Sequence, residues 1–167
     1  MANIFNYCPD DVTVVIAGLA TVDGFATGTF ISIDKDVAPY TSVRTPDGMT
    51  ARLHNNDQTY TIQLTLHIGS STNELLTKLW LADEITNKAK FPIFIKDHSG
   101  TDLFFSTTTW IEGLPTLSKS DHVDTRVWTL RSSQAVVNYG TNGEQSSDVD
   151  DLIKAIIGSI PAIEGLL

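Results

Sequence analysis

The stretch Thr59-Tyr60-Thr61-Ile62-Gln63-Leu64-Thr65-Leu66-His67-Ile68 decides the fold class of this chain. One parity holds tyrosine, isoleucine and leucine, and the other holds threonine, glutamine and histidine. Because successive side chains of a strand point to opposite faces, this period of two predicts a β-strand with one buried face and one wet face. The wet parity consists of Thr59, Thr61, Gln63, Thr65 and His67.

Apolar and β-branched segments on both sides of this stretch predict further strands. Residues 11–16 and 25–33 are expected to pair as a hairpin, since the Asp23-Gly24 step supplies the positive φ of a tight turn. Later strands are expected at 91–95, 103–111 and 123–130. The chain is therefore predicted to be mainly β, as an antiparallel β-sandwich or partial barrel.

One helix is expected directly after the deciding strand. Ser71 and Glu74 have the spacing of a capping box, which marks the start of a helix. The apolar residues that follow fall within one helical stripe, which predicts a helix that covers a sheet face. They are Leu75, Leu76, Leu79, Ala82 and Ile85. We expect this helix to end near Asn87.

Residues 34–58 are predicted to form a long loop that includes a projecting hairpin. Turn residues occur at Pro39, at Pro46-Asp47-Gly48 and at 55–57, with short extended segments between them. Loops of this length in small domains are usually functional or are ordered by a partner. The candidate contact residues are Arg44, Pro46, Asp47, Gly48 and Arg52.

The last part of the chain, residues 146–167, is predicted to be a packing segment with a short C-terminal helix. Its apolar residues are too numerous to face water, so the segment is expected to pack on its own sheet or on a neighbouring subunit. The candidate packing residues are Leu152, Ile153, Ile156, Ile157 and Ile160.

Length and charge narrow the possible functions. At 167 residues a single domain is the expectation, and the lone Cys8 excludes an intrachain disulfide framework. No stretch is long and apolar enough to span a membrane, and none resembles a targeting peptide. A net charge of −9 disfavours phosphate binding, so nucleic acid is expected to pass this protein rather than adhere to it.

No catalytic motif is present in the sequence. Asp97, His98 and Asp102 form the densest group of possible metal ligands, but their spacing is that of an ordinary polar loop. Trp80, Trp110 and Trp128 suit core or interface positions better than a sugar-binding face. We therefore expect no enzyme activity, no cofactor and no metal.

The order of these elements resembles that of the tail tube proteins of contractile-tailed bacteriophages. The resemblance rests on the opening Met-Ala-Asn-Ile-Phe-Asn-Tyr-Cys-Pro-Asp-Asp-Val, the mid-chain helix and the Trp-Ile-Glu-Gly-Leu-Pro stretch at 110–115. It extends over most of the chain. Related tubes occur in type six secretion systems and in tailocins.

The resemblance implies a structural virion protein that is assembled in the host cytoplasm. Hexameric rings would close their inner strands into one β-barrel and stack into a tube through which double-stranded DNA is ejected without specific binding. The loop at 34–58 would reach the adjacent ring, and the wet parity of the deciding strand would face the lumen. Sheath, baseplate and tail-terminator proteins would be the partners.

Two other classes of function remain open at the level of sequence. A β-sandwich module for carbohydrate binding or adhesion would also suit the strands and tryptophans. A small hydrolase or metal-dependent enzyme would use His98 and its neighbours. Self-association at high concentration favours the tube subunit, and a stoichiometric bound metal ion favours the enzyme.

Overall fold

The computed structural model describes residues 7–18 and 20–140, which fall into two compact units. The first unit contains the described parts of Met1–Val22 and Val136–Leu167 together with Phe91–Thr107, and the second contains Asp23–Lys90 and Thr108–Ala135. In chain order the elements are β1 Val12–Ile16, β2 Ala20–Thr21, β3 Ile31–Lys35, β4 Tyr40–Arg44, β5 Thr50–His54, β6 Tyr60–His67, α1 Thr72–Thr86, β7 Phe91–Asp97, β8 Leu103–Gly113, β9 Thr125–Ser132 and β10 Val136–Asn138.

The first unit is an antiparallel sheet in the order β2-β1-β7-β8-β10, to which β8 contributes its first residues. Strands β1 and β7 pair over their whole common length, from Val12 opposite Asp97 to Ile16 opposite Ile93. Alternate residues of both strands are buried and build the core of this unit.

The second unit holds the deciding strand, β6, between β9 and β3, with the end of β8 on the far side of β9. All of these pairs are antiparallel. Ile62, Leu64 and Leu66 are fully buried, whereas none of the alternate residues of β6 is. The predicted alternation of a buried and a wet face is confirmed. Trp128 and Leu130 of β9 extend the same core.

Helix α1 starts and ends where the sequence predicts, but its start is built differently. The hydroxyl of Ser71 does not cap the helix; it donates to the Asp23 carboxylate, as do the hydroxyls of Ser70 and Thr72. The capping-box prediction is therefore wrong, because the Ser71 hydroxyl binds the carboxylate of Asp23, from a distant segment, instead of the backbone of the first helical turn. Asn87 ends the helix in the left-handed conformation.

The predicted stripe of α1 is only partly buried. Leu76 is fully buried, whereas Ile85 at the C-terminal end of the helix is 81% exposed and Ala82 is also exposed. The buried face of the helix is completed instead by Thr72 and Asn73, and the side chain of Asn73 accepts a hydrogen bond from Trp128 Nε1 at 2.9 Å. Trp128 is thus a core residue, as expected.

The expected hairpin between residues 11–16 and 25–33 is absent from the described structure. The chain already reverses at Ala17 and Gly18, which both have positive φ, and β1 pairs with β2 and β7 instead. Residues Ile31–Lys35 pair with β6. The short strand β10 lies beyond the last of the predicted strands.

The predicted loop at 34–58 contains a separate two-stranded antiparallel sheet, β4 and β5, so the projecting hairpin is confirmed. The C-terminal segment, with Leu152, Ile153, Ile156, Ile157 and Ile160, lies outside the described residues. No helix among the described residues is long and apolar enough to cross a membrane.

Candidate functional site

The wet side of the sheet in the second unit forms one continuous surface, here called the polar face. The register places Thr61 opposite Arg131, and Arg131 opposite Trp110, so one row crosses three strands. The next rows pair Gln63 with Thr129 and Thr65 with Val127. The polar face consists of Ser32, Asp34, Asp36, Thr59, Thr61, Gln63, Thr65, His67, Trp110, Glu112, Thr125, Val127, Thr129 and Arg131.

A β-bulge in β8 shapes one border of the polar face. Ile111 pairs with Leu130 and Gly113 pairs with Thr129, so Glu112 is an extra residue on its strand. A Cβ atom at Gly113 would lie 3.0 Å from the Cβ of Thr129, so the strands approach here as closely as only glycine permits. The bulge brings Glu112 next to Arg131.

Arg131 is held between two carboxylates on the polar face. Its Nε lies 2.8 Å from Glu112 Oε2 and 3.3 Å from Asp36 Oδ2. Neither contact has the alignment of a hydrogen bond, so both are ion pairs. Asp36 also accepts a hydrogen bond from the Thr61 hydroxyl at 2.5 Å. This network ties β9 to β6 and to the end of β3.

At the start of β6, Thr59 is fixed by the carboxylate of Asp57. Asp57 Oδ1 accepts hydrogen bonds from the Thr59 hydroxyl at 2.6 Å and from its backbone N–H at 2.9 Å. These two bonds hold the pKa of Asp57 below its usual value, and the charges of Lys35 and Arg131 lower it further. The carboxylate is therefore charged at neutral pH.

The structure thus brings the five predicted lumen residues together with others that the sequence analysis missed. Thr59, Thr61, Gln63, Thr65 and His67 lie on one face, as their shared parity requires. The missed residues Arg131, Glu112 and Asp36 come from other segments, and only the register between strands brings them together. The sequence carries one signal for Arg131: it shares the parity of Val127 and Thr129 in β9, which places these three residues on the same side of the strand.

The hairpin of β4 and β5 has two chemically different faces, although all of its residues are exposed. Its pairs place Thr41 opposite Leu53 and Val43 opposite Ala51, which gives an apolar face. The opposite face is basic and carries Tyr40, Ser42, Arg44, Thr50, Arg52 and His54.

Contacts within the basic face are made by aromatic rings. The guanidinium of Arg52 lies 3.6 Å from the centre of the Tyr40 ring. The centre of the His54 ring, on the paired strand, lies 5.1 Å from the centre of the same Tyr40 ring. On the apolar face, Val43 is 43% and Leu53 is 56% exposed among the residues that the structure describes. The exposed Met49 adjoins it at the turn.

The turn of this hairpin contains the remaining candidate contact residues. Pro46, Asp47 and Gly48 lie between Thr45 and Met49, whose backbones are hydrogen-bonded at 2.9 Å. Gly48 has a φ of 86°, a conformation that side chains disfavour. Arg44 and Arg52 thus share the basic face, while the other three candidates form the tip.

Of the groups considered as metal ligands, Asp97 is the buried last residue of β7, and His98 lies in the turn that follows. Asp97 accepts hydrogen bonds from the N–H and hydroxyl of Ser99, and the ring of His122 contacts Asp121. In the part of the chain that the structure describes, no three His, Cys, Asp or Glu side chains could hold a metal ion together. Cys8 is exposed.

Comparison with known proteins gives one relative by sequence. The chain is 28% identical over 157 residues to "Structural protein ORF10" of Pseudomonas phage KPP10, and the match covers 90% of this chain and 91% of that protein. No protein-family model matches the sequence. The chain is thus similar over nearly its whole length to a protein described as a structural component of a phage.

Three solved structures share its fold. A chain of the anti-feeding prophage tube terminating cap has a TM-score of 0.56 at 15% identity, covering 83% of this chain and 94% of that one. A chain of the PVC sheath/tube terminator in the extended state has a TM-score of 0.57 at 16% identity. This match covers 83% of this chain and 100% of that one.

The third structure is the PVC sheath-tube complex, of an extracellular contractile injection system, in the extended state. One of its chains has a TM-score of 0.53 at 17% identity over 76% of this chain and 87% of that one. The predicted fold class is confirmed as mainly antiparallel β; between residues 7 and 140 the described chain has one α-helix, and its sheets are open rather than a closed barrel.

Proposed function

We propose that this chain is a self-associating wall subunit of the tube in a contractile-type phage tail, not an enzyme. The observation that carries the proposal is the exposed apolar face of the β4–β5 hairpin. An isolated two-stranded hairpin is marginally stable in water, and exposed apolar surface marks contacts between proteins. The similarity to a phage structural protein and the fold shared with tube-cap and sheath-tube structures support the same setting.

In this proposal hexameric rings stack around a channel for double-stranded DNA. Within the described residues, strand β3 ends the sheet of the second unit with an unpaired edge, and pairing with a second copy removes such an edge. The polar face borders the channel, including Thr59, Thr61, Gln63, Thr65 and His67. The hairpin, with Arg44 and Arg52 on its basic face, contacts the adjacent ring.

The remaining parts of the tail supply the other contacts. The whole chain acts as one tube domain, and the packing residues at 152–160 join neighbouring subunits. Sheath, baseplate and tail-terminator proteins bind the outside and the ends of the tube. The protein is assembled in the host cytoplasm and remains in the virion.

A tube terminator is the second candidate, and a specific observation favours it. Two of the solved structures that share this fold are terminators, and this chain spans 94% and 100% of the matched chains. A terminator closes one ring at the tube end and does not continue stacking. The two candidates therefore differ in how the purified protein polymerises.

Analytical ultracentrifugation followed by negative-stain electron microscopy tests the proposal. The purified chain is concentrated stepwise, and each step is imaged. Long hollow tubes support the tube subunit, whereas single rings that never stack support the terminator. A monomer that persists at the highest concentration contradicts both.

A further inference from the structure

We propose that Asp36 and Glu112 mask Arg131 and so prevent the polar face from retaining nucleic acid. This inference rests on the proposed function, because it concerns the surface assigned to the channel. Arg131 is the one arginine among the residues that define the polar face, and no lysine is among them. A duplex that slides along this surface meets this guanidinium as the group best suited to hold it.

Arginine is the side chain that binds phosphate most specifically. Its planar guanidinium offers several donors in a fixed fork and forms paired hydrogen bonds with phosphate oxygens. The side chain of Arg131 is 36% exposed, so it is accessible from the wet side of the sheet. An unmasked arginine here, repeated around a ring, would give the channel a belt of phosphate contacts.

The surrounding carboxylates remove this affinity. Glu112 and Asp36 contact the Nε of Arg131 from two different strand ends, and Asp34 lies on the same face beside Thr61. Two carboxylates therefore contact one guanidinium, so the summed charge of these three side chains is negative. A phosphate that approaches the guanidinium would also approach these two carboxylates, and their negative charge opposes its binding.

The construction of the network indicates that the masking is held in place by the fold. The Thr61 hydroxyl orients Asp36, and the extra residue of the β-bulge brings Glu112 to Arg131. Bulges re-aim side chains at functional positions. Ion pairs at a protein surface contribute little to the free energy of unfolding. A gain in stability alone therefore does not account for the network of Arg131, Asp36 and Glu112.

The test uses the purified chain, residues 1–167, and a short fluorescein-labelled DNA duplex. Binding is measured by fluorescence anisotropy over a series of salt concentrations for the wild type and for the double variant Asp36→Asn/Glu112→Gln. One freed phosphate contact steepens the slope of log affinity against log salt by about 0.9. We expect the double variant to bind the duplex more tightly than the wild type and to show this steeper slope.

Two controls separate masking from net charge. Asp10→Asn/Glu84→Gln changes the net charge by the same amount at exposed positions that are not part of the polar face, and it should leave the slope unchanged. The triple variant Asp36→Asn/Glu112→Gln/Arg131→Gln should return to the wild-type slope. If the charge control binds as tightly as the double variant, or the triple variant keeps the gain, the proposal is wrong.

Because Asp36 is hydrogen-bonded to Thr61, its replacement can disturb folding, and each variant is checked by thermal melting. Glu112→Gln alone then carries the test, since Glu112 is exposed at the bulge. It should steepen the slope in the same direction, and an unchanged slope would overturn the proposal. These outcomes concern the separate subunit, so they are distinct from whether the chain forms tubes.

Discussion

The polar face and the β4–β5 hairpin are both exposed, but they are built in opposite ways. The polar face is hydrophilic and lies over a buried core of leucine, isoleucine and tryptophan, whereas the hairpin has apolar side chains in water and no core beneath them. A surface that is stable when wet can border a channel. For the surface that leaves Val43 and Leu53 exposed, we propose that a partner covers it.

The largest expected effect comes from the apolar face of the hairpin. Val43→Ser/Leu53→Ser should abolish assembly at concentrations where the wild type polymerises, because the apolar contact between copies is lost. The free energy of unfolding of the monomer should change by less than about 0.5 kcal/mol, since both residues are already exposed. Sedimentation velocity and chemical denaturation measure the two quantities.

The matched control for this prediction is Thr41→Ser/Ser42→Thr, which exchanges small polar residues on the same strand. It should assemble like the wild type. Tubes formed by the Val43/Leu53 variant would show that the hairpin is not an assembly contact, and deletion of residues 40–56 gives an independent check.

The second prediction compares the two sides of β6 at neighbouring positions. Leu64→Ala should lower the free energy of unfolding by about 2–5 kcal/mol, because it leaves a cavity in a fully buried position. Gln63→Ala should change it by less than about 0.5 kcal/mol, because Gln63 is exposed. Urea denaturation of both variants measures the difference, and equal effects would contradict the division into a buried and a wet side.

A smaller effect is expected at Asp23, which fixes the start of α1 beside the end of β6. Hydrogen bonds from Thr72, Ser70 and Ser71 hold the pKa of Asp23 below its ordinary value in the folded state. A lowered pKa means that the charged form stabilises the fold above the unfolded-state pKa and that this stability is lost as the pH falls through the folded-state value.

Asp23→Asn should therefore cost about 1 kcal/mol at pH 7, the scale of a lost helix cap. The difference between wild type and variant should shrink as the pH falls below 4. Denaturation at pH 7 and at pH 3 measures it. A difference that does not change with pH would show that the charge of Asp23 is not what stabilises the helix start.

The sequence was sufficient for the elements that are defined by local pattern. The alternation of β6, the extent of α1 and the hairpin at 34–58 follow from side-chain periodicity and turn residues. The pairing partners of β1 could not be predicted in this way, because they depend on where the chain reverses after β1. The reversal begins at Ala17, which has a positive φ although it is not a glycine. The helix start was misread because Asp23 is 49 residues from Thr72 in sequence.

The candidate site shows the same limit. Parity alone placed Thr61 and Gln63 on the wet face. The ion pairs of Arg131 join three segments, and the bulge that brings Glu112 to it depends on the close approach of Gly113 to Thr129. These relations belong to the register between strands, which a single sequence does not contain.

Electron cryo-microscopy of tubes assembled from the purified chain tests the central claim most directly. The measured quantity is the radial position of Gln63 relative to Leu53 in the assembled wall. We predict that Gln63 lies at the innermost radius, facing the channel, and that Leu53 is buried against a neighbouring copy. Gln63 at the outer surface or buried between subunits, or Leu53 exposed to solvent, would contradict it.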